Sequence, residues 1–161
     1  MHSFSELRTL IEQVAPAPLM TILAWIPQQK SLLRVYTTHP NEFPVGAQKP
    51  VEVSEGWLAQ CIIRGALFLG ADRGAMRKLF SDYELIESLG FSAVINLPIR
   101  RDSTTVGLID LLTPEGAYTP DTLATIVREL WVEQNTVADL INSTVHMLVP
   151  AHNQYEGDRT V

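Results

Sequence analysis

Two polar side chains interrupt the most apolar part of this chain. Asn96 lies within Ala93–Ile99 and Asp110 within Val106–Leu112, each with aliphatic neighbours on both sides. An amide and a carboxyl placed like this need hydrogen-bonding partners wherever they are buried. Together they could recognise a small molecule, and the carboxyl could also move a proton. Asp110 is one residue from Ile109 and Leu111, so in an extended chain it faces away from both. A bulge would reverse that direction.

Other reactive residue types are sparse. Cys61 is the one cysteine. It shares an apolar helical face with Trp57 and Leu58 and has no second thiol, so a packed core cysteine is the preferred reading over a nucleophile. The histidines are His2, His39, His146 and His152. His39, in a loop, is a candidate for a pocket rim, against the default of a solvated loop residue. No His-Glu-x-x-His, Cys-x-x-Cys or paired-ligand spacing occurs, so no metal and no cofactor is expected. Gly70–Gly74 lacks the lysine and capped helix of a phosphate loop. Arg73, Arg77 and Lys78 could form a small anion site but read better as a solvated helix face. Arg100 and Arg101 flank a turn and are expected to be exposed.

The element that must position Asn96 and Asp110 is a β-hairpin. Gly90 to Thr113 contains two β-rich runs around a short polar break, Arg101–Thr104. Both runs are apolar almost throughout, which predicts a hairpin in mid-sheet, covered on both faces. Pro98 cannot donate to a ladder, so a brief strand at Leu67–Leu69 should pair only with the early part of its neighbour. Upstream, Ser3–Glu6 is a capping box, and Phe4, Leu7, Leu10, Ile11 and Val14 follow at helical spacing until Pro16. Leu19–Ile26 and Ser31–Thr38 form a second hairpin around Pro27–Lys30, and His39–Pro50 reads as a loop. Ser54 and Glu55 open a helix that Gly65 ends. Ala71–Phe80 holds a helical turn or two, and Ser81–Glu84 caps a helix closed by Gly90. Thr119-Pro120-Asp121 starts a helix running to about Met147. Trp131 and Val132 widen its apolar stripe, which suggests a second partner.

At 161 residues the chain reads as one domain over 1–150 with a disordered polar tail over 151–161. A net charge of -6 argues against nucleic acid as a partner. No apolar run approaches the roughly 18 residues that span a membrane. The N-terminus has no basic start or apolar core of a signal peptide. The lone cysteine fits a reducing cytoplasm. Asn142–Thr144 matches a glycosylation acceptor but lies in a helical pattern, where chance is the better reading.

The order helix, hairpin, short helices, short strand, hairpin, long helix resembles the GAF domain family, and small stand-alone bacterial GAF proteins in particular. The residues that carry the resemblance are Val35–Pro40, Phe43–Gly46, Lys49-Pro50, Phe68–Gly70, Leu85–Gly90 running into Ala93–Pro98, and Gly107–Leu112. The resemblance implies an α+β, PAS-like antiparallel sheet in the order 2-1-5-4-3. The N- and C-terminal helices would cover one face. Residues 39–89 would cover the other and enclose a small-molecule pocket, and pairing of two copies through the terminal helices is common in the family. Asn96, Asp110, Tyr36, Trp57, Tyr83 and His39 are the ligand-binding candidates, with Phe80 and Tyr118 as further wall residues. Leu112-Thr113 stands where cyclic-nucleotide-binding members carry Asn-Lys, Cys61 lacks the histidine that follows it in bilin-binding members, and members that reduce free methionine sulfoxide use several cysteines.

The resulting expectation is a cytoplasmic, homodimeric sensory or regulatory module binding a small molecule, with no catalytic residues assigned. The alternatives are an enzyme acting through Cys61 or Asp110, and a pure interaction module with a filled pocket. The basic residues near the pocket cover are Arg64, Arg73, Arg77, Lys78 and Lys49, none placed on it by spacing. The ligand is therefore expected to bring its own donors, as a neutral or cationic compound would.

Overall fold

The computed structural model describes residues 1–50, 56–80 and 82–149, without the side chains of residues 56–58 and 79. The helix start at Ser54 and Glu55, the cap at Ser81, the Trp57 side chain and the tail over 151–161 lie outside the described residues.

Helix α1 spans Phe4–Glu12, with the Ser3 hydroxyl accepting from the Glu6 backbone N–H and the Glu6 carboxylate accepting from His2 N–H at 2.7 Å. Strands β1 (Leu19–Ile26) and β2 (Ser31–Thr37) follow as a hairpin, then β3 (Gln48–Pro50), α2 (Gly56–Arg64), β4 (Phe68–Gly70), α3 (Arg73–Leu79) and α4 (Tyr83–Ser88). The central hairpin is β5 (Ala93–Arg101) and β6 (Thr104–Thr113), and α5 (Pro120–Leu148) ends the described chain. The sheet order is β3-β2-β1-β6-β5-β4, all antiparallel. Without β3 this is the expected order. β3 is an addition within the loop over 39–50: three exposed residues pair with Ser31–Leu33 at the sheet edge.

β4 pairs Phe68 with Asn96, Leu69 with Ile95 and Gly70 with Val94, so Pro98 lies beyond its end. The β5–β6 turn is two residues, Asp102 (φ 51°) and Ser103 (φ 64°), both left-handed as a type I′ hairpin requires. Arg100 staples this turn through Nη1 to Thr105 Oγ1 (2.7 Å) and Nη2 to Ser103 O (2.6 Å), while Arg101 reaches Asp139 at 2.6 Å. Both arginines are half-buried rather than exposed. A side chain at left-handed φ costs about 1 kcal/mol that glycine avoids. Ser103→Gly is therefore expected to raise the thermal midpoint by a few degrees; a lower midpoint would refute this account of the turn.

The two sheet faces bury different partners. Met20, Ile22, Ala24, Leu33, Val35, Ala93, Ile95, Leu97, Ile109 and Leu111 pack with Leu7 and Ile11 of α1 and Ile126, Leu130, Val137, Ala138 and Ile141 of α5. The Tyr118 hydroxyl donates to Pro16 O at 2.6 Å and ties the start of α5 to the end of α1. Tyr118 therefore belongs to the helix side of the sheet. On the opposite face two smaller clusters form, one around Met76, Ile86 and Phe91 with Leu19 and Leu112, the other around Cys61 and Ile62 with Leu23, Leu32 and Leu108.

Candidate functional site

Between those two clusters the sheet carries polar groups instead of aliphatic ones. Thr21 on β1 pairs with Asp110 on β6, and Asp110 pairs with Asn96 on β5, forming one polar row across three strands. The row opens into a cavity of about 100 Å³ lined by Leu19, Thr21, Leu23, Leu32, Arg34, Phe43, Lys49, Phe80, Asp82, Ile86, Leu108, Asp110 and Leu112. At roughly 15 Å³ for each water-sized group, this admits a compact molecule.

Asp110 is 8% exposed and accepts from Asn96 Nδ2 at 2.7 Å. Burial pushes its carboxyl up to about 7, with the charges of Arg34 and Lys49 opposing the shift and Asp82 adding to it. Asn96 is fully buried and does not line the cavity; it holds Asp110 from behind. Its Oδ1 has no hydrogen-bond partner among the described residues, leaving an acceptor that a proton on Asp110 would suit.

Arg34 is the residue that sequence reasoning missed. The expectation of a pocket without its own placed cation is overturned by its guanidinium on one wall and Lys49 beside it. Arg34 is opposite Leu23 on β1, and its backbone is fixed by Arg34 N–H to Ala47 O and Gly46 N–H to Arg34 O, both 2.9 Å. Its Nε is buried without a hydrogen-bond partner among the described residues, and its side chain packs on the Phe43 ring at 5.2 Å. Burial lowers its pKa, against the pull of Asp110 and Asp82. No ion pair within 4 Å joins Arg34 to Asp110 or Asp82 among the described residues, although all three line one cavity. One Asp82 oxygen is likewise buried and without a partner among the described residues.

The remaining candidates go elsewhere. Tyr36 faces the helix side and meets Phe4 at 5.6 Å, because a bulge between the Ile22 and Leu23 pairings makes Val35 the extra residue and turns Tyr36 away from Arg34's face. His39 bonds through Nδ1 to Thr38 Oγ1 (2.8 Å) and packs edge-on against Phe91, outside the cavity lining. Tyr83 is half-buried beside Arg77, also outside the lining, whereas Phe80 is part of it. Arg77 is held by Glu87 at 2.8 Å, which raises the arginine pKa and lowers that of the carboxylate. That pairing occupies one member of the candidate anion cluster.

Cys61 is 1% exposed, and burial, with a smaller push from Asp110, raises its thiol to about 12. A thiol held protonated in a packed core is a poor nucleophile. Cys61→Ala is expected to cost stability alone, about 1–2 kcal/mol, and Cys61 should react with a thiol reagent only after unfolding. Rapid labelling of the native protein at pH 8 would contradict this. Among the described residues no group of three His, Cys, Asp or Glu is placed to hold a metal, and no helix is long and apolar enough to cross a membrane.

No protein-family model matches the chain, and no curated protein matches it. Solved structures do. The GAF domain of a two-component sensor histidine kinase from Bacillus halodurans superposes with TM-score 0.63 at 13% identity, covering 89% of this chain and 96% of that one. A GAF domain/HD domain protein from Geobacter sulfurreducens gives TM-score 0.66 at 10% identity, covering 88% and 90%. The second GAF domain of DevS from Mycobacterium smegmatis gives 0.57 at 18% identity, covering 89% and 92%.

Proposed function

We propose that this chain, whose fold is that of a GAF domain, is a sensory or regulatory module that binds a small molecule on the sheet face opposite α1 and α5. The observation that carries this reading is the cavity in which a buried carboxyl and a guanidinium without a hydrogen-bond or ion-pair partner among the described residues stand between mostly apolar walls. Groups left apart in this way are costly in a space that only packs. They suit a site whose partner arrives from outside. The enzyme reading is disfavoured at Cys61, whose thiol stays protonated.

Native mass spectrometry of freshly purified protein tests the reading. A retained compound of defined mass, lost from a Leu108→Trp variant whose indole fills the cavity, supports it. The reading fails if no compound is retained and a metabolite extract leaves the melting temperature unchanged.

We also propose that two copies pair through α1 and α5. Trp131 and Val132 lie on α5 at 73% and 81% exposure, large apolar surface that an isologous contact would cover. Trp131→Glu is expected to turn a dimer into a monomer in light scattering. A monomer mass for the unaltered chain at micromolar concentration rules the pairing out. A free buried cysteine suits a reducing compartment, so the cytoplasm is the proposed location.

A further inference from the structure

Opposite charges line one cavity without an ion pair between them among the described residues. Arg34 on β2 and Lys49 on β3 bring positive charge to its lining; Asp110 on β6 and Asp82 at the entry to α4 bring carboxyl groups. Arg34 and Asp110 are two strands apart and diagonal, since Arg34 pairs with Leu23 while Asp110 pairs with Thr21. Each feels the other's charge, yet no ion pair within 4 Å links them among the described residues. The Phe43 contact consumes none of the five N–H donors of the guanidinium, and its buried Nε has no partner among the described residues. Thr21 adds one hydroxyl, and the rest of the lining is aliphatic or aromatic: Leu19, Leu23, Leu32, Leu108, Leu112 and Ile86, with Phe43 and Phe80.

We infer that the cavity takes a compact zwitterion, an α-amino acid with an apolar side chain, its carboxylate on Arg34 and Lys49 and its ammonium on Asp110 and Asp82. This rests on the reading of the cavity as the ligand site. A simple anion would satisfy Arg34 but meet two carboxyl groups in the same cavity, and a simple cation would meet the reverse problem. A neutral compound would leave both kinds of charge without a counter-charge. A zwitterion answers both at once. Arginine binds a carboxylate through two parallel N–H bonds. The cavity volume of about 100 Å³ suits a molecule of amino-acid size better than a nucleotide. An ammonium beside Asp110 also favours its ionised form, so binding releases the proton that the free site holds near neutrality. Affinity should therefore fall as pH drops below about 7, by up to tenfold per pH unit. An α-amino acid itself keeps the same charges from pH 5 to 8.

The test is a thermal-shift and calorimetric panel on the full chain. L-Leucine, L-methionine and L-phenylalanine are compared with 4-methylpentanoate, which lacks the ammonium, and 3-methylbutylamine, which lacks the carboxylate. At least one amino acid should raise the melting temperature by about 5 °C or more when saturating, and neither comparator should. Arg34→Gln should abolish the shift. Lys49→Gln, on an exposed edge strand and so tolerated by the fold, should weaken affinity several-fold. A comparator that works as well as the amino acids overturns the inference, as does a shift unchanged in both variants. If no amino acid binds but a metabolite extract stabilises the chain and fails on Leu108→Trp, the zwitterion is wrong and the ligand site stands. If the extract fails too, both readings fall.

Discussion

Asp110→Asn is expected to stabilise the free protein strongly at pH 8 and hardly at all at pH 4. The Asp110 carboxyl is raised from an ordinary value of 3.8 to about 7 by burial. Below pH 4 it is protonated in folded and unfolded chains alike, and the shift contributes nothing. Between pH 4 and 7 the folded chain holds a proton that the unfolded chain has released. Stability then falls as pH rises, by about 1.4 kcal/mol per pH unit. Above about 7 both states are ionised and the full cost of the buried charge is present. Asparagine keeps an acceptor for Asn96 Nδ2 and carries no charge. Its advantage above pH 7 should reach roughly 2–4 kcal/mol, or about 6–12 °C for a chain of this size. Groups such as the Arg77–Glu87 pair are common to both proteins and cancel in the difference curve. Parallel melting curves from pH 4 to 8 would show that Asp110 has an ordinary pKa. Wild-type sequence retaining a destabilising carboxyl is what a site that trades stability for recognition should display.

The central hairpin was legible because its two long apolar runs demanded cover on both faces, and because Pro98 set where the short neighbour must stop. Asp110 was legible as an exception within such a run. Arg34 was not. In the reading Ser31–Thr38 it is one polar residue of an ordinary strand, and its direction depends on contacts distant in sequence. These are Leu23 opposite it, the strand β3 beside it, and the Ala47 carbonyl that fixes its backbone. Tyr36 was misplaced for a related reason. Alternation from Arg34 puts it on the cavity side, and the bulge at Val35, which leaves no mark in composition, turns it to Phe4. His39 was drawn to Phe91 and Thr38 by the turn after β2, which loop composition alone does not fix. Lys49 was seen as near the cover, but only β3 pairing, which sets it opposite Leu32, explains its place on the cavity wall. Exceptions within one strand are visible in sequence; the charge that answers them across two strands is not.

Gly107→Ala is the second change expected to have a large effect, and it acts through space rather than backbone angle. Gly107 lies on β6 opposite Ala24 of β1 and Ile99 of β5, on the face that packs against α5. A Cβ there would stand 2.6 Å from the Leu23 carbonyl oxygen and 3.0 Å from Ile141 Cδ1. The side-chain contact could relax by a rotamer change. The carbonyl cannot, because it belongs to β1 within the sheet. Adding one methyl should therefore push β1 from β6 and cost about 2–3 kcal/mol, at the upper end for overpacking, or several degrees of melting temperature. Leu23 and the adjacent Leu108 line the cavity from its other side, so the same displacement should loosen ligand binding as well as the fold. Adding Ile141→Val separates the two contacts. If the carbonyl is the obstacle, the two costs add, and the double variant falls below Gly107→Ala by the cost of Ile141→Val alone, about 0.5–1.5 kcal/mol; if the double variant is instead more stable than Gly107→Ala, the obstacle is Ile141 and the strands have room to spare. A Gly107→Ala midpoint unchanged from that of the unaltered chain would show that β1 and β6 do not approach as closely as this contact requires.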